Sequence, residues 1–347
     1  MNATPNTPAA TPAPMPQRSL GRTGPRVSAL GLGAMGMSDL YGPADEAESI
    51  ATLHAAMDAG VTLIDTGDFY GMGHNELLIR DALRSSGRDR DEVAISVKFG
   101  ALRDADGGWY GNDTRPEAVR NFLAYTLRRL GTDHVDIYRP ARLDPTVPIE
   151  ETIGAIAEQV KAGHVRHIGL SEVGAETLRR AHAVHPISDL QIEYSLISRG
   201  IEQEILPTAR ELGIGVTAYG VLSRGLISGH WSADRAIAPG DFRGISPRFG
   251  AGNVDANLAL VEALRAVAEA RGATVAQTAI AWVLAQGEDI VPLVGARRRE
   301  RLTEALGALR LTLTAEDLQA IEAAVPAGAA AGDRYIAAQM EHLDSEK

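Results

Sequence analysis

The chain has 347 residues, of which 45% are hydrophobic and 23% charged, a composition typical of a folded globular protein. Its net charge of −11 argues against a nucleic-acid partner, because binding a phosphate backbone requires a positive field. The chain contains no cysteine, which excludes disulfides, thiolate catalysis and cysteine-bound metal and agrees with a cytoplasmic location.

The first segment, residues 1–16, reads MNATPNTPAATPAPMP. It lacks the basic and apolar regions that mark a signal peptide. Its bias toward Pro, Ala and Thr gives it little to bury, so we predict a disordered leader followed by one domain over residues 17–347. No apolar run approaches the ~18 residues that a membrane helix requires, and no membrane partner is expected.

Short β-rich runs follow one another along the rest of the chain, separated by longer segments. The predicted strands cover residues 28–33, 61–65, 93–99, 135–139, 165–170, 188–193, 213–219 and 289–294. Between them, apolar residues recur at helical spacing, most clearly at Ile50, Leu53 and Met57, at Val119, Phe122, Leu123 and Leu130, and at Ile149, Ile153, Ile156 and Val160. This alternation predicts an α/β fold, a closed (β/α)8 TIM barrel, with an open sheet as the alternative.

A glycine motif, GLGAMG at residues 31–36, follows the first predicted strand. A dinucleotide fingerprint of this kind requires a helix that begins inside the motif. Gly42 and Pro43 delay any helix until about Asp45, so we interpret the motif as a glycine-rich strand end. Such an end permits a close approach of the backbone to a ligand, and we expect Gly33, Ala34 and Met35 to lie beside a cofactor.

In a barrel, the carboxyl ends of the strands form one rim, where catalytic residues lie. The rim positions predicted here are Asp65, Tyr70, Lys98, Ser171, Gln191, Tyr219 and Gly295. Singly, Asp65 could cap a turn, Lys98 could form a salt bridge and Tyr70 could pack in its loop. Together they suggest a proton-donating cluster, because an ammonium at Lys98, fixed by Asp65, would lower the tyrosine pKa from its usual value of about 10.

An arginine-rich turn, GARRRER at residues 295–301, follows the last predicted strand of this acidic protein. Guanidinium groups at a helix start suit a phosphate monoester, as on the 2′-phosphate of NADPH. A solvated basic helix start is the structural alternative. The sequence thus favours NADPH over NADH as cofactor.

The segment LIDTGDFYGMGHNE at residues 63–76 resembles the Asp-Thr-Ala-x-x-Tyr-Gly-x-Gly-x-Asn-Glu motif of aldo-keto reductases. The resemblance extends from Arg18 to about Ala324 and is greatest to the longer bacterial branch of that family. It includes RSLGRTGPRVSALGLGAMGMS at the front, GLSEV (169–173), LQIEYS (190–195), VTAYGVLSRG (216–225) and VPLVGARRRERLTEA (291–305).

The resemblance implies a barrel with NADPH extended across its rim and a small carbonyl or alcohol substrate. It assigns Tyr70, Lys98 and Asp65 to three of four catalytic positions. Ser171 and Gln191 would bind the nicotinamide carboxamide, and Tyr219 would stack on its ring. The remaining implied cofactor contacts are the pyrophosphate loop of Tyr219, Gly220, Val221, Leu222, Ser223 and Arg224, and the adenosine positions Gly295, Arg297, Arg301 and Glu304.

The fourth catalytic position of the family, a histidine, is occupied here by Ala141 in DIYRPARLDP. By sequence proximity alone, His74 and His134 are candidates for the role of this histidine. Two further departures are Glu172 and Ala305, each in place of an asparagine. Because of this alanine, a second hypothesis is that the barrel binds NADPH as a sensor or partner module. A third hypothesis is that Lys98 forms a Schiff base with a carbonyl substrate.

Loops shape the substrate pocket of such a barrel. The two longest irregular stretches are predicted at residues 100–114 and 222–253, and the segment after Pro326 is a third candidate. Their aromatic residues, Trp109, Tyr110 and Trp231, are either apolar pocket walls or loop anchors.

Overall fold

The computed structural model describes residues 14–38 and 40–347. The predicted leader, residues 1–16, lies almost entirely outside this described part, so the leader and the domain boundary at residue 17 stay predictions. Among the described residues, no helix combines the length and apolar character needed to span a bilayer.

Eight parallel strands form a closed barrel in the described part of the chain. In chain order, the strands are β1 (Gln17–Ser19), β2 (Arg26–Ser28), β3 (Gly31–Gly33), β4 (Leu63–Gly67), β5 (Ala94–Phe99), β6 (Ala101–Arg103), β7 (Trp109–Asn112), β8 (Val135–Pro140), β9 (Val165–Ser171), β10 (Ile187–Glu193), β11 (Gly215–Tyr219) and β12 (Ile290–Val294). The barrel order is β10-β11-β12-β3-β4-β5-β8-β9, and each predicted strand overlaps one barrel strand. The predicted (β/α)8 barrel is therefore confirmed, and the open sheet is wrong.

Helices cover the outside of the barrel. Leu53, Leu123 and Ile153, one from each predicted stripe, are at most 1% exposed. Two helices end at Gly131 and Gly163, whose φ angles of 67° and 86° suit a residue without a Cβ. The helices are α1 (Glu46–Asp58), α2 (His74–Ser86), α3 (Pro116–Leu130), α4 (Ile149–Ala162), α5 (Ala175–Val184), α6 (Ile205–Leu212), α7 (Asn253–Ala270), α8 (Val275–Ala285), α9 (Arg299–Leu306), α10 (Ala315–Ala324) and α11 (Ala337–Met340).

An antiparallel hairpin of β1 and β2 closes one end of the barrel. Leu20, in the turn of this hairpin, is fully buried and belongs to one apolar cluster with Val27, Leu63, Ile137 and Val291. The last three residues lie near the beginnings of their strands. The hairpin therefore forms the floor of the barrel, and a ligand is expected at the other end, where the strands have their carboxyl ends.

The glycine motif at residues 31–36 does not lead into a helix. A short 3₁₀ turn, Met35–Met37, follows β3, and α1 begins only at Glu46. Asp45 caps that helix by accepting a hydrogen bond from the Glu48 amide at 2.7 Å. The expectation that this motif is not a dinucleotide fingerprint is confirmed.

Residues 100–114 are not irregular, as the sequence suggested, but contain the hairpin of β6 and β7. A tight turn joins its strands, in which the Asp104 amide donates to the Gly108 carbonyl at 3.0 Å. Trp109 and Tyr110 are 47% and 64% exposed. The hairpin escaped sequence analysis because neither of its faces is buried, and it therefore shows no alternation of apolar and polar residues.

The stretch at residues 222–253 is largely irregular, with three short 3₁₀ turns. Trp231 is buried and packs edge-on against Phe249, with ring centroids 4.8 Å apart. Of the two interpretations of Trp231, an apolar pocket wall and a loop anchor, the structure favours the loop anchor.

Candidate active site

A buried ion pair lies at the carboxyl ends of two adjacent strands. Asp65 of β4 and Lys98 of β5 are 4% and 5% exposed, and the Lys98 ammonium donates directly to Asp65 Oδ1. The other oxygen, Oδ2, accepts hydrogen bonds from Ser96 Oγ at 2.9 Å and from Gln191 Nε2 at 2.7 Å. Because both carboxylate oxygens have donors, the acid is held in one orientation and fixes the ammonium.

Tyr70 lies above this pair, in the loop that follows β4. Its ring centroid is 5.1 Å from Lys98 Nζ, and the ring of Phe69 packs edge-on at 4.8 Å. A tight turn at Gly71 and Met72, with φ angles of 55° and 54°, redirects the chain directly after the tyrosine. Among the described residues, none hydrogen-bonds the Tyr70 hydroxyl. The phenol is thus positioned by its ring and leaves its oxygen available to a ligand.

The shift in the pKa of Tyr70 has the opposite sign to the one expected from the sequence. Burial, and next the Asp65 charge, raise the pKa of Tyr70 well above its usual value of 10.0. Burial also lowers the pKa of Lys98, against the pull of Asp65. The prediction of a lowered tyrosine pKa is wrong for this arrangement, because burial of the phenol and the Asp65 charge both favour its neutral form.

A second buried ion pair connects the first to the barrel interior. Arg139 of β8 and Asp189 of β10 are both fully buried, with Nη1 and Oδ2 2.9 Å apart. Arg139 Nη2 also donates to Ser96 Oγ at 2.9 Å, and Ser96 in turn donates to Asp65. Thr217 of β11 completes the network by donating to Asp189. The acid at the mouth is therefore oriented through side chains of several strands.

The positions expected to contact the nicotinamide lie beside this pair. Ser171 ends β9, and its Oγ is buried without a hydrogen-bond partner among the described residues. Gln191 uses its amide nitrogen for Asp65. Tyr219 ends β11, and its hydroxyl donates to Glu172 Oε1 at 2.7 Å and lies 2.9 Å from the Tyr335 hydroxyl. The structure brings these expected residues to one side of the mouth.

Glu172 follows β9 in a left-handed conformation, with φ of 54°. It is 1% exposed, and Arg334 donates to both of its oxygens, at 2.9 and 2.6 Å. Tyr219, Ser345 and the Glu193 amide are further donors. Although burial opposes ionisation, Arg334, the Arg142 charge and the Tyr219 hydroxyl lower the pKa of Glu172 to about 2. Both carboxylate oxygens of Glu172 are therefore already occupied by hydrogen bonds from the protein.

The expected pyrophosphate loop, residues 219–224, continues from β11 in an unusual backbone conformation. Gly220, Ser223 and Arg224 have φ angles of 67°, 45° and 58°. Arg224 is paired with Glu193 at 3.3 Å, while its Nη1 is buried without a partner among the described residues. The loop therefore presents one unsatisfied guanidinium nitrogen. Val221 and Leu222 lie within it, buried and half-buried respectively.

The expected adenosine positions lie where β12 meets α9. Arg297 Nη1 donates to the Tyr41 carbonyl at 3.1 Å, which joins this junction to the loop after β3. Arg301 and Glu304 form an ion pair at 3.1 Å, and His230 also contacts Glu304, at 2.8 Å. A Cβ added to Gly295 would meet no atom within 4 Å, so space remains beside the backbone there.

The backbone of the glycine-rich strand end reaches the same rim. The Ala34 amide donates to the Asp65 carbonyl at 2.9 Å, and Asn75 Nδ2 donates to the Ala34 carbonyl at 2.9 Å. Gly33 pairs with Asp65 in the sheet register, and Met35 begins the turn that follows.

Ala141, at the position where the resemblance implies a histidine, is buried directly after β8. His134 precedes β8 and bonds Asp133 at 2.7 Å, at the floor end of the barrel. His74 bonds Ser38 at 2.9 Å, and its side chain is 45% exposed. Neither of these contacts involves Ala141.

Four residues of this region escaped sequence analysis: Arg139, Arg142, Arg334 and Tyr335. Arg142 stands one position beyond Ala141 at a strand end, and this placement alone could have identified it. Arg334 and Tyr335 lie beyond the last strand, in a segment without periodicity that offers no such signal.

Known proteins resemble this chain over nearly its whole length. The model of the aldo/keto reductase family matches residues 29–326. A protein from Glycine max named probable aldo-keto reductase 1 is 42% identical over 319 residues, which cover 91% of this chain and 90% of that protein.

Two solved structures share the fold. The glycerol dehydrogenase from Gluconobacter oxydans superposes with a TM-score of 0.80 at 28% identity, covering 89% of this chain and 94% of that one. An aldo-keto reductase from Bacillus halodurans, in its holo form, gives a TM-score of 0.74 at 28% identity, covering 90% and 97%.

The chain therefore belongs to the aldo/keto reductase family. Membership supports NAD(P)H-dependent oxidoreduction on a small-molecule substrate, and the family resemblance predicted from the sequence is confirmed at that level.

Proposed function

We propose that this protein is an NADPH-dependent oxidoreductase that interconverts a carbonyl compound and an alcohol, with Tyr70 as the proton donor. The observation that supports this proposal is the buried pair of Asp65 and Lys98, directly beneath a tyrosine whose hydroxyl has no partner among the described residues.

The residues of the mouth fit a nicotinamide dinucleotide. Two buried polar atoms, Ser171 Oγ and Arg224 Nη1, lack partners among the described residues and would gain them from a carboxamide and a phosphate. Ser171 and Gln191 would hold the carboxamide and Tyr219 would flank the ring. The loop of residues 219–224 would hold the pyrophosphate.

The proton step belongs to this chain's own side chains. When bound, the nicotinamide would supply a hydride, and Tyr70 would donate its hydroxyl proton to the carbonyl oxygen. Lys98 stabilises the phenolate that results, because its ammonium lies at the ring and is held there by Asp65. A positioned acid of this kind contributes about 10²–10⁴ in rate.

Preference for NADPH over NADH forms part of the proposal. It is supported by Arg297 and Arg301, at the junction of β12 and α9, in a chain that is acidic elsewhere. The 2′-phosphate distinguishes the two cofactors, and a guanidinium recognises it by paired hydrogen bonds.

The test is Tyr70→Phe, which keeps the ring and removes the acidic proton. We expect kcat for aldehyde reduction to fall by about 10²–10⁴ while the Kd for NADPH stays unchanged. Tyr125→Phe, at an exposed position on α3, is the matched control. Retained turnover in the Tyr70 variant would sink the assignment.

A second candidate, a barrel that binds NADPH as a sensor or partner module with slow chemistry, is favoured by Ala141. The alanine side chain has no hydrogen-bond donor, so it cannot polarise a carbonyl as a histidine would. Screening aldehydes, ketones and sugars separates the candidates, since a sensor binds NADPH tightly without useful turnover.

A further inference from the structure

Arg142 follows β8 and projects toward the same mouth as Tyr70. Its Nη1 donates to the carbonyl of Ala141 at 2.7 Å, and its Nη2 lies 3.4 Å from the Tyr335 hydroxyl. Its charge opposes the raised pKa of Tyr70 and contributes to the lowered pKa of Lys98. The Tyr335 hydroxyl also lies 2.9 Å from that of Tyr219, so the guanidinium stands at the wall of the proposed cofactor site.

In the part of the chain that the structure describes, this guanidinium pairs with no carboxylate. Among the described residues, no carboxylate oxygen lies within 4.0 Å of its nitrogens. The acid that most influences it is Glu172, whose oxygens are already saturated by Arg334 and the other donors. The other groups that act on it are the hydroxyls of Tyr335 and Tyr219 and the cation of Arg334.

A cation in such a position keeps its charge. Although burial opposes it, Tyr335, Tyr219 and Glu172 raise the pKa of Arg142 above its usual value. A half-buried guanidinium whose protein contacts are a carbonyl and a phenol retains donors for an anion. A carboxylate satisfies such a group best, because its two oxygens match the planar fork.

We infer that Arg142 is a specificity-determining residue that selects carbonyl substrates carrying a carboxylate, such as 2-oxo acids and short aldehyde acids. This inference rests on the proposed function. A carboxylate bound to Arg142 holds the neighbouring carbonyl toward Tyr70. This contact helps to position the substrate, a task to which the Ala141 side chain cannot contribute. NADPH would supply the hydride to the carbonyl carbon and become NADP⁺, Tyr70 would give its proton to the carbonyl oxygen and recover one from solvent, and the carboxylate would be unchanged.

The experiment compares acids with their own methyl esters. Benzoylformate and 4-carboxybenzaldehyde are each paired with the ester, and kcat/KM is measured in wild type, Arg142→Met and Arg128→Met. Arg128 lies exposed on α3 and is the matched control. The ratio of acid to ester within one protein, compared between proteins, cancels the intrinsic reactivity of the carbonyls.

We expect the wild type to favour the acids and Arg142→Met to lower that ratio by about 30-fold or more, chiefly through KM, while Arg128→Met leaves it unchanged. An acid-to-ester ratio that is the same in wild type and Arg142→Met overturns the inference, whichever substrates are turned over.

Failure of the proposed function gives a different result. If none of the four compounds oxidises NADPH, that function is wrong, and Arg142 is judged by calorimetric binding of benzoate to the NADP⁺-saturated protein. Binding that Arg142→Met weakens at least about tenfold supports an anion site. Equal binding in the two proteins, or none in the wild type, overturns it.

Discussion

Arg334 forms a two-pronged ion pair with Glu172, at 2.9 and 2.6 Å, across 162 positions of sequence. The arginine lies in the segment after α10, and the glutamate follows β9 at the barrel mouth. Because Glu172 also accepts the Tyr219 hydroxyl, this one contact joins the final segment to the wall of the proposed cofactor site.

Breaking this pair should be costly. Arg334→Met leaves a buried carboxylate without its cation, and we expect the free energy of unfolding to fall by about 3–5 kcal/mol. Urea denaturation followed by circular dichroism measures it. Arg128→Met, at an exposed site, should cost less than about 0.5 kcal/mol, and equal losses in the two variants would contradict the structure.

The same pair predicts a pH dependence of stability. The pKa of Glu172 is lowered from 4.5 to about 2 in the folded protein, so its contribution is fully present above the unfolded value and is lost as the pH falls toward the folded value. This lowering corresponds to about 3 kcal/mol. Between about pH 6 and pH 3, wild type should therefore lose more stability than Glu172→Gln. Parallel urea midpoints for the two proteins would argue against the depressed pKa.

The ion pair inside the barrel predicts a second sensitive position. Asp189→Asn leaves the fully buried Arg139 guanidinium without a counter-charge, at an expected cost of about 3–5 kcal/mol. Glu158→Gln removes a carboxylate from an exposed pair with Arg120 and should cost at most about 1 kcal/mol. Thermal denaturation of both variants measures the two losses of stability. If Asp189→Asn costs no more than Glu158→Gln, this prediction is wrong.

Cofactor preference should depend on the junction of β12 and α9. Arg297→Met is expected to weaken NADPH binding by about 10- to 100-fold and NADH binding far less, since only NADPH carries the extra phosphate. Quenching of protein fluorescence gives both Kd values. Lys161→Met, which removes an exposed charge from α4, controls for net charge. An equal loss for both cofactors would show that Arg297 does not read the phosphate.

The parts of the fold and site that could be predicted from the sequence follow from one rule. Parallel strands place their carboxyl ends at the same rim, so Asp65 and Lys98 could be brought together from strand ends alone. The β6–β7 hairpin could not be predicted, because an exposed hairpin buries neither of its faces. The ion pair of Arg334 with Glu172 could not be predicted either, since a contact between distant segments produces no periodic pattern in the sequence of either segment.

The sign of the tyrosine pKa shift was also beyond the sequence. Proximity of Lys98 to Tyr70 could be predicted, but the direction depends on which atom the ammonium faces and on how deeply the phenol is buried. Arg139 illustrates the same limit, because an arginine in a strand gives no sign that its partner Asp189 lies inside the barrel.

The interior pair also constrains how this sequence can diverge. Arg139 and Asp189 are 50 positions apart, and either charge alone is unfavourable inside the barrel. A lineage can therefore abandon the pair only by changing both codons, or by passing through a poorly folded intermediate. Among descendants of a common ancestor, the two positions should be inherited or replaced as a unit, although they never adjoin in the gene.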